Sequence, residues 1–196
     1  MSGILLIMID DPEVLLTTLR LVLRLPKESD GAKLEEFEKA NVAQLSPWRT
    51  TLLKSEPEYI ALIRNWQQEF AEGRSIRFLL FLKENPDGKV LGLCNFTQIF
   101  RGPFQACYLG YQIDSSYERR GLMSEAIERA IEYMFGEQNI HRIMANYMPS
   151  NERSGRLLRK LDFVIEGTAK NYLRINGRWE DHVLTSLTNP NWLPAH

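Results

Sequence analysis

Cysteine is nearly absent: the chain has two, Cys94 and Cys107. Both stand inside apolar, strand-like runs with no ligand-type spacing around them. That excludes a disulfide framework and a cysteine zinc site, and fits a reducing, cytoplasmic setting. Both read as small buried core residues. Long apolar runs are missing as well. The opening "MSGILLIMID" is apolar only over residues 4–9 and has no basic flank ahead of it. It is too short to span a bilayer and unlike a signal peptide, so no membrane partner is expected. Residues 1–16 read as an N-terminal extension. An excess of one charge is missing too: 24 basic residues stand against 25 acidic ones, a net charge of -1. No global field therefore points to nucleic acid or membrane. Repeats and tracts rich in Pro, Gly or Ser are lacking, so residues 1–196 read as a single domain. The three histidines have no metal-ligand spacing, and no metal is expected. His141 and His182 read as structural. No Ser/His/Asp or Cys/His arrangement for covalent catalysis can be recognised.

What is present is a clear alternation of periods. "LRLVLRL" at residues 19–25 reads as a first strand, followed by helical patterns over residues 33–43 and 58–70. Between them "LSPWR" forms a turn whose Trp48 could face a ligand or pack at the surface. "IRFLLFLKENPDGKVLGLCNFTQI" reads as a hairpin turning at Pro86-Asp87-Gly88, with residues 78–82 apolar on both faces and hence central. A strand follows at residues 106–113. Next comes a helix whose stripe is Leu122, Ala126, Ala130 and Met134, with Met123, Ile127, Ile131 and Phe135 beside it. Glu125 and Arg129 are spaced for a pair on its outer side. A strand at residues 142–147, a short helix from Asn151 with Leu157, Leu158 and Leu161 inward, and a hairpin around Asn176-Gly177 complete the chain. This order predicts an α+β sheet with helices on its faces.

One stretch carries chemistry. "SYERRGLMSEA", residues 116–126, sets two arginines and a glycine directly before the amphipathic helix. A helix N-terminus offers unpaired N–H groups and the positive end of its dipole, which favour an anion. Gly121 has no Cβ to hold a phosphate off the backbone, and Arg119 and Arg120 add charged donors. An ordinary turn with two solvated arginines has the same sequence signature.

Residues 108–135 and 141–173, including "ERRGLM" and "NERSGRLLRKLDF", resemble the GCN5-related N-acetyltransferase (GNAT) superfamily. "ACYLGYQI", "GLMSEA", "HRIMANYMP" and "DHVLTSLT" are similar to its Rim-type ribosomal-protein-alanine N-terminal acetyltransferases, over roughly residues 18–192. Glu118, Met123 and Asp162 depart from the superfamily pattern. The resemblance implies a GNAT fold: a mixed central sheet of six to seven strands with helices on both faces. It implies acetyl-coenzyme A as cosubstrate, with Arg119, Arg120, Gly121, Leu122, Met123 and Ser124 at its diphosphate. Asn151 and the backbone at Ile113 would take the pantetheine arm. The acceptor it implies is the N-terminal amine of a ribosomal protein.

Acyl transfer from a thioester needs a neutral amine, donors for the developing oxyanion, and a proton for the leaving thiolate. The resemblance gives the first task to Glu166, in "VIEG", as general base, its pKa raised by burial. It gives the last to Ser154, beside the coenzyme sulfur. An exposed strand-end Glu166 and a Ser154 that merely caps its helix are the bland readings of the same residues. Trp48, Tyr147 and Tyr172 are candidates to line the acceptor groove, with Trp179 beside them; core packing serves each equally. An α-amine, with a pKa of about 7.7 to 8, is far more often neutral than a lysine at about 10.4, which suits an N-terminal acceptor. A polyamine or antibiotic amine, and a coenzyme A- or ribosome-binding module without turnover, are the alternatives. The oligomeric state is open, a homodimer included.

Overall fold

A computed structural model describes residues 15–50 and 53–194. Eight strands form one sheet in the order β1-β2-β3-β4-β5-β6-β8-β7. The strands are β1 (Leu15–Thr17), β2 (Leu21–Arg24), β3 (Ile76–Leu82), β4 (Gly92–Phe100), β5 (Ala106–Ile113), β6 (Arg142–Met144), β7 (Val164–Ile175) and β8 (Arg178–Thr188). Four helices cover the sheet: α1 (Gly31–Leu45), α2 (Glu56–Ala71), α3 (Leu122–Gly136) and α4 (Glu152–Lys160).

The alternation of side chains along β3 and β4 explains why there are two cores. Phe78, Leu80, Cys94 and Phe96 point to one face, where they meet α3 and α4. Leu79, Phe81 and Leu93 point to the other, where they meet α1 and α2. Residues 78–81 are thus buried on both sides, as their continuous apolar run requires. Each of Phe78, Phe81 and Phe96 is fully buried, worth about 1.5 to 3 kcal/mol per side chain. Cys94 and Cys107 are buried and free, and burial pushes the Cys107 thiol up to about 12 and the Cys94 thiol higher still.

Local signals set the helix ends. Glu58 reaches back to the Ser55 N–H at 2.8 Å, closing the start of α2, where Pro57 needs no hydrogen-bond acceptor for its nitrogen. Asp162 ends α4 with φ +62, in the left-handed conformation that Asp tolerates better than most residues. The Asn176-Gly177 turn also has positive φ at both positions and joins β7 to β8.

Three expectations are corrected. The sheet has eight strands rather than six to seven, because Leu15–Thr17 pairs with β2. So part of the presumed extension belongs to the sheet, while residues 1–14 lie outside the described ones. The strand of residues 142–147 stops at Met144, and Tyr147 makes only a single bridge to Val183. Glu125 does not pair with Arg129: it binds Arg20 and the Thr18 hydroxyl on the β1–β2 connection, and Arg129 turns to Glu132.

Candidate active site

β5 and β6 run parallel and share only three residue pairs, Ala106 to Tyr108 against Arg142 to Met144. Beyond them the strands part. Ala145 and Tyr147 donate to Thr185 and Val183 of β8, leaving the outer half of β5 without a neighbour on that edge. A cavity of about 890 Å³ opens there, lined by residues 109–113 on one side and residues 145–148 on the other. Its size suits a cofactor-sized ligand.

At one end the cavity meets the entrance of α3. Gly121 precedes the helix in the left-handed conformation, φ +75, which a side chain would strain. Leu122, Met123 and Ser124 follow in the first turn and line the cavity, as does Arg119. Lys160, from the last turn of α4, donates to the Ser124 hydroxyl at 3.0 Å, and Arg153 and Arg156 also line this region. Positive charge and free N–H groups converge here, as a diphosphate requires. Glu118 does not oppose it freely, because Arg153 and Gln44 both bind its carboxylate.

Next along the cavity is Ser154. Asn151 caps α4 by accepting the Ser154 N–H at 3.2 Å, so one turn fixes both residues. The Ser154 hydroxyl lies 2.6 Å from the Tyr111 hydroxyl. Burial pushes the Tyr111 pKa up to about 12, so this phenol keeps its proton at neutral pH. Gly155 is required beside them: a Cβ there would come within 2.8 Å of the Tyr147 ring.

The far end is walled by α1 and α2. Trp48, Arg49, Tyr59 and Trp66 line it, with Asn95 of β4 and His182 of β8 across the floor. Three buried polar atoms on lining residues have no hydrogen-bond partner among the described residues: Gln44 Oε1, Arg49 Nε and Asn95 Oδ1. Buried polar groups are normally paired, so these are open positions for a polar ligand.

The structure therefore brings together Ile113, Arg119, Gly121, Leu122, Met123, Ser124, Asn151, Ser154, Trp48 and Tyr147. It does not bring Glu166, Arg120 or Tyr172 into the lining. Glu166 stands exposed on the edge strand β7, bound to Arg142 and to the Ser186 hydroxyl. The Arg142 hydrogen bond holds its carboxyl below the usual range, the reverse of the shift expected from burial. Ile143 packs in the α3-side core, so its neighbour Arg142, and Glu166 with it, occupies the other face of the sheet. Arg120 is exposed, stacked over the Tyr117 ring at 5.0 Å. Tyr172 accepts a hydrogen bond from Asn146 at 3.1 Å and leans on His182, one step behind the lining. Trp179 is exposed.

Tyr111, Lys160, Arg153 and His182 were not expected at the site. Arg153 and Lys160 could have been found, since two turns of α4 separate them and put both on one side of that helix. Tyr111 and His182 had no local signal, because only the splaying of the strands makes them line a cavity.

Residues 20–164 match the acetyltransferase (GNAT) domain family. The chain is 45% identical over 192 residues to the ribosomal protein uS5-alanine N-acetyltransferase of Escherichia coli K12, covering 94% of this chain and 95% of that one. Its fold superimposes on ribosomal-protein-S5-alanine acetyltransferase from Vibrio fischeri with a TM-score of 0.87 at 35% identity, covering 93% of this chain and 100% of the other. Mycobacterium smegmatis RimJ, solved in complex with CoA-disulfide, superimposes with a TM-score of 0.80 at 25% identity, over 89% and 84% of the two chains.

Proposed function

The chain belongs to the GNAT acetyltransferase family, and from that premise we propose that it transfers an acetyl group from acetyl-coenzyme A to the N-terminal alanine of ribosomal protein uS5. The observation that carries the proposal is the continuity of one cavity from the basic entrance of α3, past Ser154, to the wall of α1 and α2. Acetyl-coenzyme A supplies an activated acyl group and a thiolate leaving group. This chain's residues do the rest.

The N–H groups of residues 122–124, with Arg119 and Lys160, hold the diphosphate. The unpaired edge of β5 offers backbone donors and acceptors to the pantetheine arm, and Asn151 borders it. The Ser154 hydroxyl donates toward the leaving sulfur, and the Tyr111 O–H behind it replaces that proton. The α1 and α2 wall receives the acceptor peptide, with Gln44, Arg49 and Asn95 as its open polar positions.

Incubating purified uS5 with acetyl-coenzyme A and this protein tests the reading. Mass spectrometry should find one acetyl group on the N-terminal residue. Acetylation of a polyamine but of no ribosomal protein would transfer the chemistry to a small-molecule amine.

A further inference from the structure

An amine arriving at this cavity must lose a proton, and Glu166 stands outside the lining. His182 stands within it. It is 4% exposed, on β8, and its neighbour Val183 packs on the α3 side, so His182 faces the α1 and α2 side. Its Nδ1 lies 3.1 Å from the Glu180 carbonyl oxygen. A carbonyl can only accept, so Nδ1 carries the hydrogen and the neutral ring leaves Nε2 as a bare acceptor. Nε2 has no hydrogen-bond partner among the described residues. The ring orientation is held by Tyr172, whose ring centre is 5.5 Å away and whose hydroxyl is fixed by Asn146.

Resting on the acyl-transfer reading above, we propose that His182 Nε2 takes the proton from the acceptor's α-amino group. The amine lone pair then forms the new C–N bond, the C–S bond breaks, and the sulfur leaves with a proton from Ser154. The ammonium proton and then the second N–H proton, released as the amide forms, each leave through Nε2 to solvent, and Ser154 regains its proton from solvent through Tyr111, so one proton is released per acetyl transferred. Tyr172 from β7 packs against the His182 ring, Asn146 from the segment after β6 holds the Tyr172 hydroxyl, and the neighbouring Asp181 is engaged by Lys170.

The test is His182→Asn, whose side-chain amide can still donate to the Glu180 carbonyl but offers nothing in place of Nε2. Turnover of a synthetic peptide beginning with alanine should fall on the order of 10²-fold at neutral pH. Coenzyme A affinity, measured by calorimetry, should not change. The deficit should shrink as pH rises above about 8, where the α-amine is already neutral. A deficit constant with pH, or none, overturns the proposal. Independently of activity, two-bond ¹⁵N–¹H correlation spectra of the wild type should show the His182 ring protonated at Nδ1 when neutral; protonation at Nε2 alone overturns the proposal. Wild-type turnover in the same assay is the control: its absence indicts the acyl-transfer reading, and its presence leaves any failure with His182.

Discussion

The Tyr111 hydroxyl and the Ser154 hydroxyl stand 2.6 Å apart, joining the splayed strand β5 to the first turn of α4. The tyrosine is half-buried and keeps its proton, and both residues line the cavity, so on the proposed acyl-transfer reading the pair acts as a short relay. Ser154→Ala should lower turnover on the order of 10²-fold by removing the proton donor to sulfur. Tyr111→Phe should cost about tenfold, since Ser154 then draws on solvent. Both should leave the acetyl-coenzyme A KM within about twofold. Steady-state kinetics with the uS5 peptide checks this, and equal, slight effects of both changes would remove the relay.

The phosphate end yields a separate expectation. At Gly121 the left-handed conformation costs a side chain about 1 to 2 kcal/mol, and its Cβ would stand 3.5 Å from the Arg20 guanidinium. Gly121→Ala should therefore weaken coenzyme A binding about tenfold. Lys160→Ala should weaken it comparably, while Arg120→Ala, which removes only the stack on Tyr117, should change it about twofold or less. Titration calorimetry ranks the three.

Glu166 is expected to be a structural pairing partner. Glu166→Gln keeps a hydrogen bond to Ser186 and loses only the charge opposite Arg142. Turnover should remain within about threefold of wild type, against the 10²-fold loss a general base would show. A loss of that larger size would return the base role to Glu166.

Stability should depend on Asp30. Arg24 grips its carboxylate with two hydrogen bonds of 2.7 Å, and the Lys27 N–H adds one of 2.8 Å. Burial pushes this carboxyl up, but the Arg24 and Lys27 hydrogen bonds outweigh it and hold the pKa below its ordinary value. A depressed carboxylate stabilises the fold above its unfolded pKa, about 3.9, and loses that contribution as pH falls through the folded value. Asp30→Asn should cost about 3 to 5 kcal/mol near neutrality, because Arg24 is left buried and unpaired. The gap between wild type and variant in denaturant melts should narrow toward acid pH.

Much of this architecture was legible. The run of residues 78–82 announced a central strand, and the stripe from Leu122 to Met134 announced α3, because burial periodicity is a local property. That Gly121 opens α3 was legible for the same reason: a glycine directly ahead of an amphipathic stripe marks the helix entrance. What was hidden depended on pairings between distant segments. Leu15–Thr17 is too short to show a period, and only β2 makes it a strand. Glu166 lies between apolar neighbours, which suggested burial, but β7 is an edge strand and leaves Val164 and Ile165 exposed as well. Tyr111 and His182 look like ordinary strand residues until the gap beside β5 is seen.

That gap bears on how the cavity is filled. Five strands on one flank and three on the other are stitched by three residue pairs, and past the stitching the floor is missing. Whatever slides into the slit first becomes part of the surface on which the next molecule must rest. On the proposed acyl-transfer reading, the peptide then meets a finished bench only after the nucleotide has been laid down.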